Sequence, residues 1–227
     1  MQETSADPAV KTELARCFAT HHALKSFAVD VRVTSRGVPM LRSVPMLRNG
    51  VVQIALERPG RLRMEAQGAL REAGICLLVA SSNYIYEALS PAKTYRVKSI
   101  PADGDALTYG LQNNEILPLP FFSQLLVDKD GLEALLKEYA TVQMARETVI
   151  GAPAQRVFTL ERESRRVILR FDEKAGLLRQ AILTQGNIEI REDYRGLRVN
   201  PRLPADLWRF VPPRGFRDED AQGAAIG

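Results

Sequence analysis

Two periods of hydrophobic placement divide this chain. Val10, Leu14, Cys17, Phe18 and His21 recur at spacings that share one helical face. Asp7 is placed as an N-cap, and Pro8 stands at the first helical position, where a missing N–H costs nothing. This predicts an amphipathic helix ending near residues 23–25. The period then falls to that of a strand. Phe27, Val29, Val31 and Val33 alternate with Ala28, Asp30, Arg32 and Thr34, so one face is apolar and the other wet. Val52, Ile54 and Leu56, then Leu62 and Met64, continue the alternation, with Pro59-Gly60 as a tight connection between the two runs. Ile75 to Ala80 is apolar on both faces, as suits a central strand covered on one side by helices. Tyr84 to Leu89 and Thr94 to Lys98 extend the meander.

Helical spacing returns in the middle of the chain. Phe121, Phe122, Leu125 and Leu126 form an apolar face after Pro118-Leu119-Pro120. Asp130 to Glu133 has capping-box spacing, and Leu132, Leu135, Leu136 and Tyr139 follow on one face. Strands resume at Gln155 to Glu161, Arg166 to Asp172, Leu177 to Thr184 and Asn187 to Tyr194, with Glu173 to Gly176 and Gln185-Gly186 as breaks. Sequential strands at short spacing imply an antiparallel sheet. Helices are too few to cover both faces, so a curved sheet would hold them on its concave side, where a ligand would also have to go. A direct repeat, Val38 to Arg42 and Val44 to Arg48, reads as a lengthened hairpin loop or as a Met/Leu-bearing flap.

Composition narrows the function. At 227 residues, with 45% apolar and 26% charged side chains, the chain can bury a substantial core. The net charge of +4 is spread without a basic cluster interleaved with aromatics, so no nucleic-acid partner is expected. The longest apolar run, Ile75 to Ala80, falls far short of the ~20 residues of a transmembrane helix. The first residues carry no signal-peptide pattern, and a trimmed exported protein would look the same. No GxSxG, HExxH, Walker or GxGxxG motif occurs, and His21 and His22 point about 100° apart on a helix. No catalytic residue, cofactor or metal is expected. Cys17 and Cys76 are either two buried thiols or one disulfide.

The ordered motifs carry more. Arg58-Pro59, the Arg61-Leu62-Arg63 strand, Leu78-Val79 before a polar turn and the Tyr84-Ile85-Tyr86 strand are followed by Pro91 to Tyr95. Asp172 to Leu177, Asp193-Tyr194, Val199-Asn200-Pro201, Leu203-Pro204 and Phe210 to Gly215 come later in the same order. This series resembles the LolA-like family of periplasmic lipoprotein and lipid carriers, with Ser81-Ser82-Asn83 where the family usually has Asp-Gly-Lys. The resemblance implies an α+β, mainly β fold: an open, strongly curved antiparallel half-barrel with helices plugging its concave face. It implies a single domain over residues 1–227, with 1–6 and 217–227 as flexible tails.

The implied function is non-catalytic and periplasmic, carrying a lipid or an acylated lipoprotein, with a membrane-bound donor or acceptor protein as a further partner. Acyl chains would lie against Val29, Val31, Ile54, Leu62, Met64, Phe121, Phe122, Leu136, Phe158, Leu169 and Phe171. The Arg-Pro arginine of the family helps hold a helical lid, and it matches Arg58. A Cys17–Cys76 disulfide would suit the oxidising periplasm. The alternatives are a protein-interaction or envelope-stress-sensing module on the same scaffold, and a lipid-modifying enzyme, which would need a polar constellation at the cavity mouth.

Overall fold

The structure, a computed structural model, describes residues 7–37, 49–68, 71–72, 74–81, 83–102, 130–148, 150–151 and 153–219. The fold is α+β and mainly β, as expected. Helix α1 spans Pro8–His22, followed by β1 (Ser26–Arg36), β2 (Gly50–Glu57), β3 (Arg61–Gly68), β4 (Ile75–Ser81), β5 (Tyr84–Leu89) and β6 (Thr94–Ser99). Helix α2 spans Gly131–Glu138 and leads into β7 (Thr141–Glu147), β8 (Gln155–Arg162), β9 (Arg165–Asp172), β10 (Leu178–Gln185) and β11 (Ile188–Val199). A short 3-10 helix, Ala205–Trp208, and β12 (Arg217–Asp218) complete the order. The strands form one open sheet in the order β12-β6-β5-β4-β3-β2-β1-β11-β10-β9-β8-β7. The strand pairs from β2 to β6 and from β7 to β11 are antiparallel, whereas β12 runs parallel to β6.

The chain divides into two compact units. One holds α1, the second half of β1, α2, β7 to β10 and β11 through Arg195; the other holds β1 through Arg32, β2 to β6, and the chain from Gly196. In the first unit, the Asp7 carboxylate accepts the Ala9 N–H at 2.8 Å and caps α1, which buries Leu14, Cys17, Phe18 and His21. Phe158 and Phe171, both fully buried, meet edge to face at 5.7 Å. The Asp172 carboxylate accepts the N–H groups of Lys174 and Ala175 at 3.1 and 2.7 Å, which sets the turn into β10. Gly37 ends β1 at φ +69°, where a Cβ would lie 1.7 Å from the Asn187 carbonyl oxygen, so no other residue fits. The second unit keeps the alternation through β2 and β3, burying Val52, Ile54, Leu56, Leu62, Met64 and Ala66, with Ala55 buried on the other face.

Several expectations shift. β7 was not legible as a strand, because Val142 is its one buried residue. Asp130 begins α2 without a side-chain cap bond. Residues 217–219, expected as tail, are paired: Arg217 and Asp218 lie beside Thr94 and Tyr95, and the Glu219 N–H reaches the Tyr95 carbonyl at 2.9 Å. Cys17 on α1 and Cys76 on β4 are both free and buried, which is the first of the two readings the sequence left open. Cys76 packs with Leu77, Val79 and Ala88 and donates to the Ala88 carbonyl at 3.4 Å. The helix read around Phe121 and Phe122 and the direct repeat lie outside the described residues.

Candidate functional site

The register of the strands assigns each predicted lining residue to a face. In the second unit Ile54 pairs with Met64, Met64 with Leu78, Leu78 with Glu87 and Glu87 with Arg96. Directly paired residues share a face, so this is one row across five strands. Leu56, Leu62, Ala80, Ile85 and Lys98 form the next row. Val29 and Val31 are buried on β1 of the same unit. In the first unit Phe158, Leu169, Ala181 and Glu192 form a comparable row, with Phe171 buried on β9 and Leu136 half-buried on α2. The predicted lining therefore belongs to closely packed apolar faces, one in each unit. Phe121 and Phe122 lie outside the described residues.

One row in each unit carries a buried glutamate that sequence reasoning missed, Glu87 on β5 and Glu192 on β11. Glu87 is 1% exposed and is held by Arg96 Nε at 2.6 Å and Lys98 Nζ at 3.0 Å. Glu192 is fully buried, and the Tyr194 hydroxyl donates to its Oε2 at 2.6 Å. Burial, then the neighbouring Glu192 charge, pushes the Tyr194 phenol well above its ordinary pKa. The available signal was a charge at a position where the period-2 pattern points inward; read alone, such a residue looks like a wet-face side chain.

Arg58, the expected lid-holder, sits half-buried in the β2–β3 connection, after which the Arg58–Pro59 peptide is cis. Its backbone N–H donates to the Lys25 carbonyl at 2.8 Å, which ties this connection to the start of β1.

A cavity of about 730 Å³ lies within the second unit, on the sheet face opposite Ile54 and Met64. Its floor carries Asp30, Gln53, Ala55, Arg63 and Glu65, although Val29 and Ile54 also border it. The segment Leu203 to Val211 and the end of β11, with Arg198, form its walls. That segment is fastened at both ends. The Asn200 side chain accepts the N–H of Lys25 at 2.9 Å, and the Ser26 hydroxyl donates to the Pro201 carbonyl, also at 2.9 Å. Further on, the Phe210 ring stacks on Tyr86 at 4.9 Å. Phe210 and Phe216 pack on Leu77, Val79 and Ala88, so the C-terminal segment covers the second face of β4. This explains why Ile75 to Ala80 is apolar on both sides: the cover on this face is an irregular strap.

Among the described residues no group of three His, Cys, Asp or Glu side chains is arranged to hold a metal ion. Likewise, no described helix is long and apolar enough to cross a membrane.

No family profile matches the chain, and no curated protein matches its sequence. Solved structures do match its fold. The lipoprotein LppX of Mycobacterium tuberculosis aligns over 88% of this chain and 100% of its own, with a TM-score of 0.51 at 13% identity. LprF of Mycobacterium bovis aligns over 87% and 96%, with a TM-score of 0.51 at 13% identity. An uncharacterized conserved protein of Thermus thermophilus aligns over 91% and 96%, with a TM-score of 0.52 at 7% identity. At these identities the likeness is one of fold, and the resemblance to LolA-like proteins read from the sequence holds at that level.

Proposed function

We propose that this protein is a non-catalytic carrier or binding protein of the bacterial periplasm, holding a lipid or the acyl chains of a lipoprotein against its apolar sheet faces. The observation that carries this reading is the pairing of a fold shared with LppX and LprF with the apolar rows in each unit. Val29, Val31, Ile54, Leu62 and Met64 are the contacts offered by the second unit. Phe158, Leu169, Phe171 and Leu136 are those offered by the first, and Phe121 and Phe122 are proposed as further acyl contacts. Each buried CH₂ contributes about 0.8 kcal/mol, so a long chain binds without a specific polar contact. Residues 1–227 act in this reading as one LolA-like domain.

Native mass spectrometry of the purified protein, with organic extraction and lipid identification, tests the proposal. A co-purifying lipid or acylated peptide near stoichiometry supports it and names the ligand class. A protein that stays ligand-free after incubation with lipids and acylated peptides refutes it. That outcome would favour a protein-interaction or stress-sensing module, a reading that draws support from how closely the described rows are packed: Leu62, Leu78, Phe158 and Leu169 are all at 0% exposure. If Arg58 holds the lid, Arg58→Leu will release bound lipid at least several-fold faster in a vesicle-transfer assay. Unchanged retention removes Arg58 from the mechanism.

A further inference from the structure

The cavity beneath the C-terminal strap has a chemistry that acyl burial on the opposite face does not use. Its floor is internally satisfied. Gln53 donates to Asp30 at 3.3 Å and accepts from Gln67 at 2.7 Å, while Arg63 is bonded to Glu65 at 3.0 Å. Arg63 also donates to the Leu207 carbonyl at 3.5 Å, which holds the strap over the floor. Two other guanidinium groups line the same space, Arg198 from β11 and Arg209 from the strap. Both are exposed, and neither forms an ion pair among the described residues. One carboxylate of the lining, Asp206, stands on the strap three residues before Arg209. Between these charges run Ala28, Ala55, Leu203, Leu207 and Val211.

A half-open space of this size, with an apolar middle and two spare cations on separate walls, falls in the range of small-molecule sites. We propose that it binds a small amphipathic anion, a carboxylate or phosphate monoester. The head group is held by Arg198 and Arg209, and a short apolar part lies on Ala28, Ala55 and Leu207. Arginine suits this role because its planar fork takes two oxygens of a carboxylate or phosphate at once. The site does not rest on the lipid-carrier reading: Arg198 and Arg209 take no part in acyl burial, and of the acyl contacts only Val29 and Ile54 border the cavity.

The chain has one tryptophan, and it lies in the strap: Trp208, 8% exposed, with no partner for its indole N–H among the described residues. Its chain neighbours Leu207 and Arg209 line the cavity, so its emission is the optical probe for binding there. The test titrates the full chain with octyl phosphate and octanoate, with octyl glucoside and inorganic phosphate as controls, reading Trp208 emission and calorimetric heat. The expected result is saturable binding of at least one octyl anion. Each of Arg198→Ala and Arg209→Ala should weaken it about tenfold, the scale of a charge-assisted hydrogen bond. Both positions are exposed, so circular dichroism and the urea midpoint should match the parent.

Four results would overturn the proposal. Binding of either octyl anion that survives the double substitution places the anion elsewhere. Octyl glucoside binding as tightly as the octyl anions removes the charge requirement, and inorganic phosphate binding as tightly removes the apolar part. Absence of saturable binding by both octyl anions removes the site.

Discussion

His21 gives this fold a defined sensitivity to acid. Its Nδ1 faces the Cys17 carbonyl at 2.8 Å and its Nε2 faces the Leu178 N–H at 3.0 Å. A carbonyl can only accept and an amide N–H can only donate, so the ring is neutral with its proton on Nδ1. The imidazole is 2% exposed and meets Phe171 edge to face at 5.9 Å. Burial lowers its pKa from 6.5 to about 4; the Cys17 carbonyl opposes the shift, and the charge of His22 adds to it. Protonation would set two N–H groups against each other inside the core.

The sign follows from proton binding. The unfolded chain takes up this proton below pH ~6.5 and the folded chain only below ~4, so stability present above the first value is lost as pH falls toward the second. At about 1.4 kcal/mol for each tenfold in proton affinity, the loss is about 3 kcal/mol. His21→Leu should remove that pH dependence and cost about 1–3 kcal/mol at neutral pH, because the Leu178 N–H loses its acceptor. Urea unfolding of both proteins between pH 7.5 and 4 reads the effect. The variant should converge on the parent as the pH falls, although carboxylates destabilise both in acid. Parallel profiles for the two proteins, or an NMR titration of His21 near 6.5, would refute the reasoning.

Other predictions follow from single contacts. Burial raises the pKa of both thiols, that of Cys17 to about 11. The native protein should therefore react slowly with an aromatic disulfide reagent at pH 8, and the denatured, unreduced protein should release two equivalents; fewer would reveal a disulfide. Phe210→Ala removes the stack on Tyr86 and should cost about 1–3 kcal/mol in urea unfolding while raising Trp208 exposure to a fluorescence quencher. The Asp172 carboxyl is raised by burial but, on balance, held below its ordinary pKa by the Ala175 N–H, the Arg179 guanidinium and the Lys174 N–H. Asp172→Ala should lower the urea midpoint by the equivalent of about 1–3 kcal/mol at pH 7, and the difference should shrink as the pH falls through the parent carboxyl's lowered pKa.

What the sequence made legible follows from how much each element depends on its own pattern. Asp7-Pro8 and the spacing of Leu14, Cys17, Phe18 and His21 specify α1 locally. Alternation specifies β1, β2 and β3 because one face of each is buried and the other is wet. β7 and β12 lack that contrast, the first with Val142 alone buried and the second only two residues long. The doubly apolar β4 did announce a second cover, but period alone could not say that it would be Phe210 and Phe216, more than a hundred residues away in the chain. The same strap creates the cavity, so Arg198 and Arg209 had no local signature. Glu87 and Glu192 were hidden for a related reason, since their partners Arg96, Lys98 and Tyr194 identify them only through register and rotamer.

The short β12 has a consequence for assembly. Without it, β6 would present its Thr94–Tyr95 backbone as a free sheet edge, a template on which another chain can add a strand. That edge is closed by Arg217 and Asp218, which follow β6 by more than a hundred positions in the chain. A nascent or clipped chain ending before Phe216 would therefore carry an open edge beside an uncovered β4. Its failure would be association with other copies, so proteolysis at the strap converts a protective cover into a seed for aggregation.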